Sequence, residues 1–338
     1  MKKDIITLSH GSGGRASYNF INEVIIPVFG NPVLNNLDDA ASFIPKDMRL
    51  AYSTDSYTVK PLFFPGGDIG KLAVAGTVND ISMMGAVPAY LSVGLLIEEG
   101  LSIETLKKVL ASMKKAAGQA KVKVITGDMK VVERGGLDQL FINTSGIGYI
   151  PKGVKISGHN ARVGDVIILN GSLGDHGVAV LAQREGFRFT DQRELKTDCA
   201  VLNHLVADML KACKDIHVLR DPTRGGLSAT LNEIAIQSGV EIMIEETHVP
   251  VKEAVKGACE MLGLDIFSVA NEGKVIVFVP RARAKKVLAA MKKNHLGRQA
   301  SIIGEVTGKT SKRVILKTQI GGKRILDMPS GELLPRIC

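Results

Sequence analysis

The sequence predicts a mixed α/β (α+β) protein of two domains. Its 338 residues exceed what one hydrophobic core commonly organises. Strand-like and helix-like apolar patterns alternate through both halves, which implies helices packed on sheets. Pro151-Lys152-Gly153 punctuates the two runs. It places a first domain at 1–152, a second at 153–310, and a strand followed by a mobile tail at 311–338.

The elements follow in order. Phe20, Ile21, Val24 and Ile25 recur at helical spacing and predict a helix over 15–29. Residues 48–53 read as a strand, and 69–84 as a helix whose Ala73, Ala75 and Gly76 permit close packing. Residues 87–97 read as a strand. Ser102 then caps a helix running to residue 120, with Glu104 in its first turn. Strands at 122–125 and 140–147 complete the first half. In the second half, 165–170 restarts the alternation. Helices are expected at 174–186, 197–214, 225–237 and 281–293, and strands at 240–245, 274–279, 301–306 and 312–317.

Composition removes several classes of function. Hydrophobic residues make up 45%, which argues against disorder. No apolar run approaches the ~18 residues of a membrane span. The apolar stretch near Met1 is too short for a signal peptide, so a cytoplasmic protein with no membrane role is expected. Cys199, Cys213, Cys259 and Cys338 form no C-x-x-C pair, which excludes a zinc knuckle or thioredoxin-type site; the first three are expected simply to pack. Net charge is +9, and residues 281–338 carry 14 Lys and Arg against 3 Asp and Glu. With no Trp and 4% aromatics to stack on bases, nucleic acid is not the expected partner. A solvated basic face is the first reading and a docking surface for an acidic protein the second.

Two glycine-rich segments imitate nucleotide motifs and fail on context. Gly11-x-Gly13-x-x-Ala16 fits a dinucleotide fingerprint, yet Pro27, Pro32 and Asn35-Asn36 interrupt the βαβ unit it requires. Gly304 to Thr310 resembles a P-loop but has one residue too few between its glycines, and a strand pattern follows where a helix should begin. The segment His10-Gly11-Ser12-Gly13-Gly14-Arg15 itself precedes a helix. Either it holds phosphate on backbone amides or it is a flexible turn.

The informative acids recur at Asp38-Asp39, Asp55, Asp80, Asp128 and Asp221. Asp55, Asp128 and Asp221 each follow a strand-like segment, and Asp80 lies in a largely apolar helix, where an unpaired charge is costly. Singly, each reads as a turn or cap residue. Taken together with the glycine loop, they favour a site for Mg²⁺ and a nucleotide, because Mg²⁺ takes oxygen ligands and keeps phosphate oxygens and water. Lys130 offers charge to a transferring phosphoryl group. Glu272, in Asn271-Glu272-Gly273-Lys274, is either a general base in a dry cleft or a surface turn residue, and spacing alone favours the turn. Cys338, at the end of a Pro/Gly-punctuated stretch, is either a carried thiol or an inert frayed end.

These segments together resemble the HypE family of hydrogenase maturation proteins. That family lies within a wider group containing aminoimidazole ribonucleotide synthetase, selenophosphate synthetase and thiamine-monophosphate kinase. The resemblance runs nearly end to end. It rests on His10–Arg15, Asp38-Asp39, Thr54-Asp55-Ser56, Val78-Asn79-Asp80, Thr126-Gly127-Asp128, Asp221–Leu227, Asn271-Glu272-Gly273 and Pro335–Cys338, the last of which marks the HypE branch. It implies an aminoimidazole ribonucleotide synthetase-like fold, with an N-terminal domain that dimerises and a C-terminal α/β domain closing over ATP. It also implies ATP and Mg²⁺ as cofactors, a homodimer, the carbamoyltransferase HypF as loading partner, and the HypC–HypD complex as recipient.

The activity so implied is the ATP-dependent dehydration of a carbamoyl group on Cys338 to a thiocyanate. By resemblance, Glu272 is the base, Lys130 supports the phosphoryl group and Cys338 is the carrier. Gly11, Ser12, Gly13, Gly14, Asp55, Asn79, Asp80, Gly127, Asp128 and Asn271 would bind ATP. Asp38, Asp39, Asp55, Asp80, Asp128 and Asp221 would hold metal. Arg336 is expected to favour the thiolate of Cys338 and the neighbouring terminal carboxylate to oppose it. Two rival readings are an ATP-dependent enzyme acting on a free small molecule and a nucleotide-sensing scaffold. A selenophosphate synthetase would carry an early reactive Cys, and here the earliest is Cys199.

Overall fold

In the computed structural model, the described residues are 14–29, 32, 34–44, 48–186, 195–309, 311–331, 334 and 336–338. The predicted first helix is α1 (Gly14–Phe20) and α2 (Ile26–Phe29), joined by one π turn at Ile21–Ile25. Next come β1 (Ala41–Phe43), β2 (Leu50–Tyr57), a short β3 (Phe63–Phe64) and β4 (Gly67–Asp68) hairpin, and α3 (Ile69–Met83). Then follow β5 (Val87–Glu98), α4 (Ile103–Ala120), β6 (Lys123–Val132) and β7 (Leu140–Tyr149). Five of these strands form a sheet in the order β1-β2-β7-β5-β6, antiparallel except for the parallel β5–β6 pair.

Helix α3 packs on this sheet and is apolar nearly all round, because its far side meets the second domain. The Asp68 carboxylate caps it, accepting from the amides of Gly70 at 2.8 Å and Lys71 at 3.1 Å. Ser102 caps α4 as its sequence predicts, through the Thr105 amide.

The second half contributes β8 (Asp165–Leu169), α5 (Asp175–Glu185), α6 (Asn203–Ala212), β9 (Val218–Arg220), α7 (Gly226–Ser238), β10 (Glu241–Glu245) and α8 (Glu253–Leu262). It ends in β11 (Ile276–Pro280), α9 (Arg281–Lys293), β12 (Ser301–Gly308), β13 (Val314–Lys317) and β14 (Lys323–Ile325). The seven-stranded sheet runs β14-β13-β10-β12-β8-β11-β9. Strand alternation divides its core. Val166, Ile168, Val277 and Val279 pack with α6 and α9, while Ile167, Leu169, Ile276 and Phe278 pack with α7. The α6–α9 cluster also takes in Ala51, Ile81, Met83 and Ile150 from the first half, so one continuous core spans the domain junction.

Three differences from the predicted elements bear on function. Asp55 and Asp128 lie within β2 and β6 rather than after strands. The helix expected from 197 begins at Asn203, because the preceding backbone bonds elsewhere: Thr197 N–H to Pro65 O and Ala200 N–H to Glu272 O. The strand at Val218–Arg220 and the helix at Glu253–Leu262 are absent from the sequence-based reading.

Candidate active site

The site is built around the turn Asn271–Gly273. Asn271 is fully buried. Its Oδ1 accepts from the Gly174 amide at 2.8 Å, and its Nδ2 donates to Pro222 O and Val269 O. Asp198 caps the same turn, accepting from the amides of Glu272 and Gly273, each at 3.1 Å, and from Lys274 Nζ at 2.8 Å. Asn79 on α3 accepts from the Leu202 amide and donates to Ala200 O and Glu272 O. Asn79 and Asn271 therefore act as fasteners of the turn. Their side-chain atoms are occupied within the chain rather than turned toward a nucleotide.

Glu272, which spacing alone would place at the surface, is only 4% exposed. Burial foremost, then the charges of Asp221, Asp198 and Asp55, raises its carboxyl well above the usual range, against the pull of Arg224. A carboxyl so raised holds a proton more tightly than an exposed glutamate and is a stronger base when ionised.

The tail brings Cys338 to this place. Thr58 N–H donates to Cys338 O at 3.1 Å and Lys60 N–H to Arg336 O at 3.2 Å, so the last residues lie along 58–60 like an added strand. Arg336 donates to Thr58 O and pairs with Asp138 at 2.6 Å, which Lys60 also reaches at 2.7 Å. Ile337 is buried in the apolar core cluster that also holds Tyr57, Val59, Leu62, Phe64, Val180 and Ala270, which stabilises the docked tail by about 2 kcal/mol. Burial pushes the Cys338 thiol up to about 12; Arg224 opposes the shift, and Glu272 and Asp55 add to it. The cation acting on the thiol is therefore Arg224 rather than Arg336, whose guanidinium is spent on Asp138.

The carboxylates divide into two sets. Asp39, Asp55, Asp80 and Asp221 form one electrostatic cluster. Burial is the largest cause raising each of them; neighbouring acid charges add to it at Asp39, Asp80 and Asp221, while Arg224 and the Tyr57 hydroxyl oppose it at Asp55. Asp221 reaches about 6. Asp80 accepts from Ser53 Oγ at 2.6 Å and Asp55 from the Tyr57 hydroxyl at 3.0 Å. Asp39 pairs with buried Arg220 at 2.6 Å, and Arg220 also holds Glu233. Among the described residues no three such groups enclose an ion unaided. Mg²⁺ needs only one or two carboxylates when phosphate and water complete its shell. Buried all-oxygen donors fit that ion.

The other expected ligands lie elsewhere. Asp38 caps the start of the second half, accepting from the Gly158 amide at 2.7 Å and from Ser157 Oγ. Asp128 and Lys130 are exposed on the edge strand β6. Register puts Asp55 level with Thr144, Val93 and Gly127, three strand spacings or about 14 Å away. Alternation then turns Asp128 and Lys130 to the open face of the sheet, opposite the helix-covered face that Asp55 shares with Thr144. Within one protomer they do not join the cluster. Gly127 instead lets β6 close on Val93 O. Gly14, at φ +78°, packs against Pro329 beside the Arg15–Asp327 pair, while Gly11, Ser12 and Gly13 lie outside the described residues.

Sequence reasoning missed Arg224, Asp198 and His176. The first sits in the Asp-Pro-Thr-Arg-Gly-Gly segment already singled out; the other two carry no local signal.

Family models for AIR synthase related proteins match the chain, the N-terminal domain over residues 37–150 and the C-terminal domain over 162–317. The chain is 48% identical to the carbamoyl dehydratase HypE of Cupriavidus necator, over 100% of this chain and 96% of that protein. Among solved structures, a HypE–HypF complex superposes with TM-score 0.87 at 49% identity, covering 92% of this chain and 99% of the other. HypE in complex with ATP superposes with TM-score 0.83 at 50% identity, covering 98% and 100%. Both family models and the full-length relatives show the family: the chain belongs to the AIR synthase related proteins and, within them, to the HypE carbamoyl dehydratases.

Proposed function

We propose that this protein uses ATP to dehydrate a carbamoyl group carried on Cys338, converting S–C(=O)–NH₂ to S–C≡N for the iron site of a [NiFe] hydrogenase. The observation that carries this is the docked thiol, lying under the charges of Arg224, Glu272 and Asp55. Oxide is a poor leaving group, so the carboxamide oxygen first takes the γ-phosphoryl group of ATP, releasing ADP. One of the two nitrogen protons is released as O-phosphorylation gives the imidate S–C(OPO₃)=NH; Glu272 then accepts the second as phosphate departs, and the C–N bond order rises to three. Arg224 offsets negative charge at the transferring phosphoryl group. Asp55, Asp80 and Asp221, with Asp39 behind them, are suited to hold Mg²⁺, which supplies charge neutralisation at phosphate. The buried turn excludes water that would hydrolyse the activated amide.

Loading belongs to a different tail position. A thiol at about 12 stays protonated while docked, whereas a carbamoyl acceptor must be thiolate. The tail therefore loads when released, on a HypF-type carbamoyltransferase, and delivers its product to a HypC–HypD-type complex. Free cysteines suit the reducing cytoplasm, and no described helix is long and apolar enough to cross a membrane.

The protein acts as a homodimer. The open sheet face, with Tyr52 and Tyr90 exposed, and edge strand β6, with Val124, Ile125, Met129 and Val131 exposed, are the surfaces that pairing would cover. That pairing brings Asp128 and Lys130 to the partner's site.

Intact-mass measurement of the carbamoylated protein after adding Mg-ATP tests the reading. Loss of one water from the C-terminal peptide is expected. The same loss elsewhere on a chain lacking Cys338 overturns it.

A further inference from the structure

One buried histidine holds the docked tail, and no step of the chemistry above uses it. We propose that His176 is a positioning residue that latches Ile337 and so sets the sulfur of Cys338 against Glu272. The proposal rests on the dehydratase reading for its consequence, not for its geometry.

His176 is fully buried in the first turn of α5. Its Nε2 lies 2.8 Å from Ile337 O, and a carbonyl only accepts, so Nε2 carries the proton. Its Nδ1 lies 2.7 Å from Thr197 Oγ1 and accepts that hydroxyl, while Thr197 Oγ1 accepts the Cys199 amide at 3.0 Å. Every donor and acceptor in the chain is matched by the neutral Nε2–H tautomer. Phe64 closes the ring edge-on at 5.5 Å. On tail release, the N–H is left facing the apolar pocket that Ile337 vacates, which favours redocking.

Two independent links tie the latch to the base. The Gly174 amide, at the start of α5, donates to Asn271 Oδ1, and the Gly177 amide donates to Ala270 O. The adjacent residues Thr197 and Asp198 hold His176 and the Glu272 amide respectively. Tail anchor and base thus share one rigid support. The Arg336–Asp138 contact on the other side is partly solvated and shared with Lys60, so it grips without fixing position.

The test uses the full-length chain below pH 9, with a bulky maleimide as probe of Cys338. His176→Phe keeps a ring and removes the donor, His176→Gln offers an N–H at similar reach, and Thr197→Val removes the hydroxyl. Loss of one buried hydrogen bond should raise Cys338 labelling roughly 3- to 10-fold in His176→Phe, and Mg-ATP-driven water loss from the carbamoylated chain should slow by at least as much. His176→Gln should stay within about twofold of the parent. Buried Cys199, Cys213 and Cys259 should remain protected, which a merely loosened fold would not allow. Parental labelling of Cys338 in both His176→Phe and Thr197→Val overturns the latch. Should His176→Phe fail to fold, parental labelling in Thr197→Val alone does so. Raised labelling without water loss in any chain, parent included, supports the latch and refutes the dehydratase reading.

Discussion

At the scale of single residues, the site is a collection of buried acids that the fold neutralises only in part, through Arg220 and Arg224. Asp39, Asp55, Asp80, Asp221 and Glu272 all have carboxyls raised by burial, and neighbouring acids add to this at all but Asp55. Such groups hold protons more tightly folded than unfolded. Their cost is absent below the unfolded carboxylate range near pH 4 and grows as pH rises toward and through about 6, where Asp221 ionises. Mg²⁺ binds the ionised form and should relieve that cost. Saturating Mg²⁺ with a nucleotide is expected to raise Tm by roughly 2–5 °C at pH 7.5, and by much less at pH 5. Asp80→Asn should shrink the Mg²⁺ effect at pH 7.5; differential scanning calorimetry reads both. An equal rise at both pH values would mean that the cation binds elsewhere. The acids were legible in sequence because Asp80 interrupts an apolar helix and Asp221 precedes a distinctive glycine pair. Glu272 was not, since a glutamate before a glycine looks like any turn until Asn271 and Asp198 bury it.

Elements fix what residues cannot choose for themselves. Helices with strong periodicity, such as 103–120 and 281–293, were readable directly, and 69–83 from its long apolar run of small residues. The stretch 197–202 was misread as helix because its apolar spacing continues that of 203–212. In the fold its backbone bonds to Pro65 and to the Asn271–Gly273 turn instead, a demand that no local pattern encodes. Asp128 shows the same limit, since its position in β6 reads correctly only once strand order is known. The Asn271 turn is the element on which the site stands. Asn271→Ala would leave the Gly174 amide and the carbonyls of Pro222 and Val269 without this partner. The expected destabilisation is about 3 kcal/mol, measured by urea unfolding, with dehydration falling further than stability because Glu272 shifts. An activity loss that vanishes on cooling would assign the effect to stability alone.

For the whole molecule, the question is whether one protomer holds a complete site. The shared core across the domain junction locks α3, and with it Asp80, against the second sheet. The docked tail adds Cys338 from the far end of the chain. Lys130 remains outside: it is level with Leu96 and Phe141 by register, with β5 and β7 between it and β2, and it lies on the open sheet face. A lysine side chain does not span that gap through the sheet, so any role for Lys130 in phosphoryl transfer is a role across the proposed dimer. This distinguishes two outcomes when Lys130→Ala and Glu272→Gln chains are mixed and allowed to exchange subunits. If each site uses Glu272 of one protomer and Lys130 of its neighbour, a mixed dimer contains one fully wild-type site and one doubly defective site. Random exchange then restores roughly a quarter of wild-type dehydration, although each variant alone is nearly inactive. If both residues act within one protomer, every site in every dimer carries a lesion and mixing restores nothing. Recovery of water loss on mixing, followed by intact mass, would place Lys130 in the partner's cleft. Its absence, with exchange verified by native mass spectrometry, would return Lys130 to the surface and leave Arg224 as the cation serving the phosphoryl group.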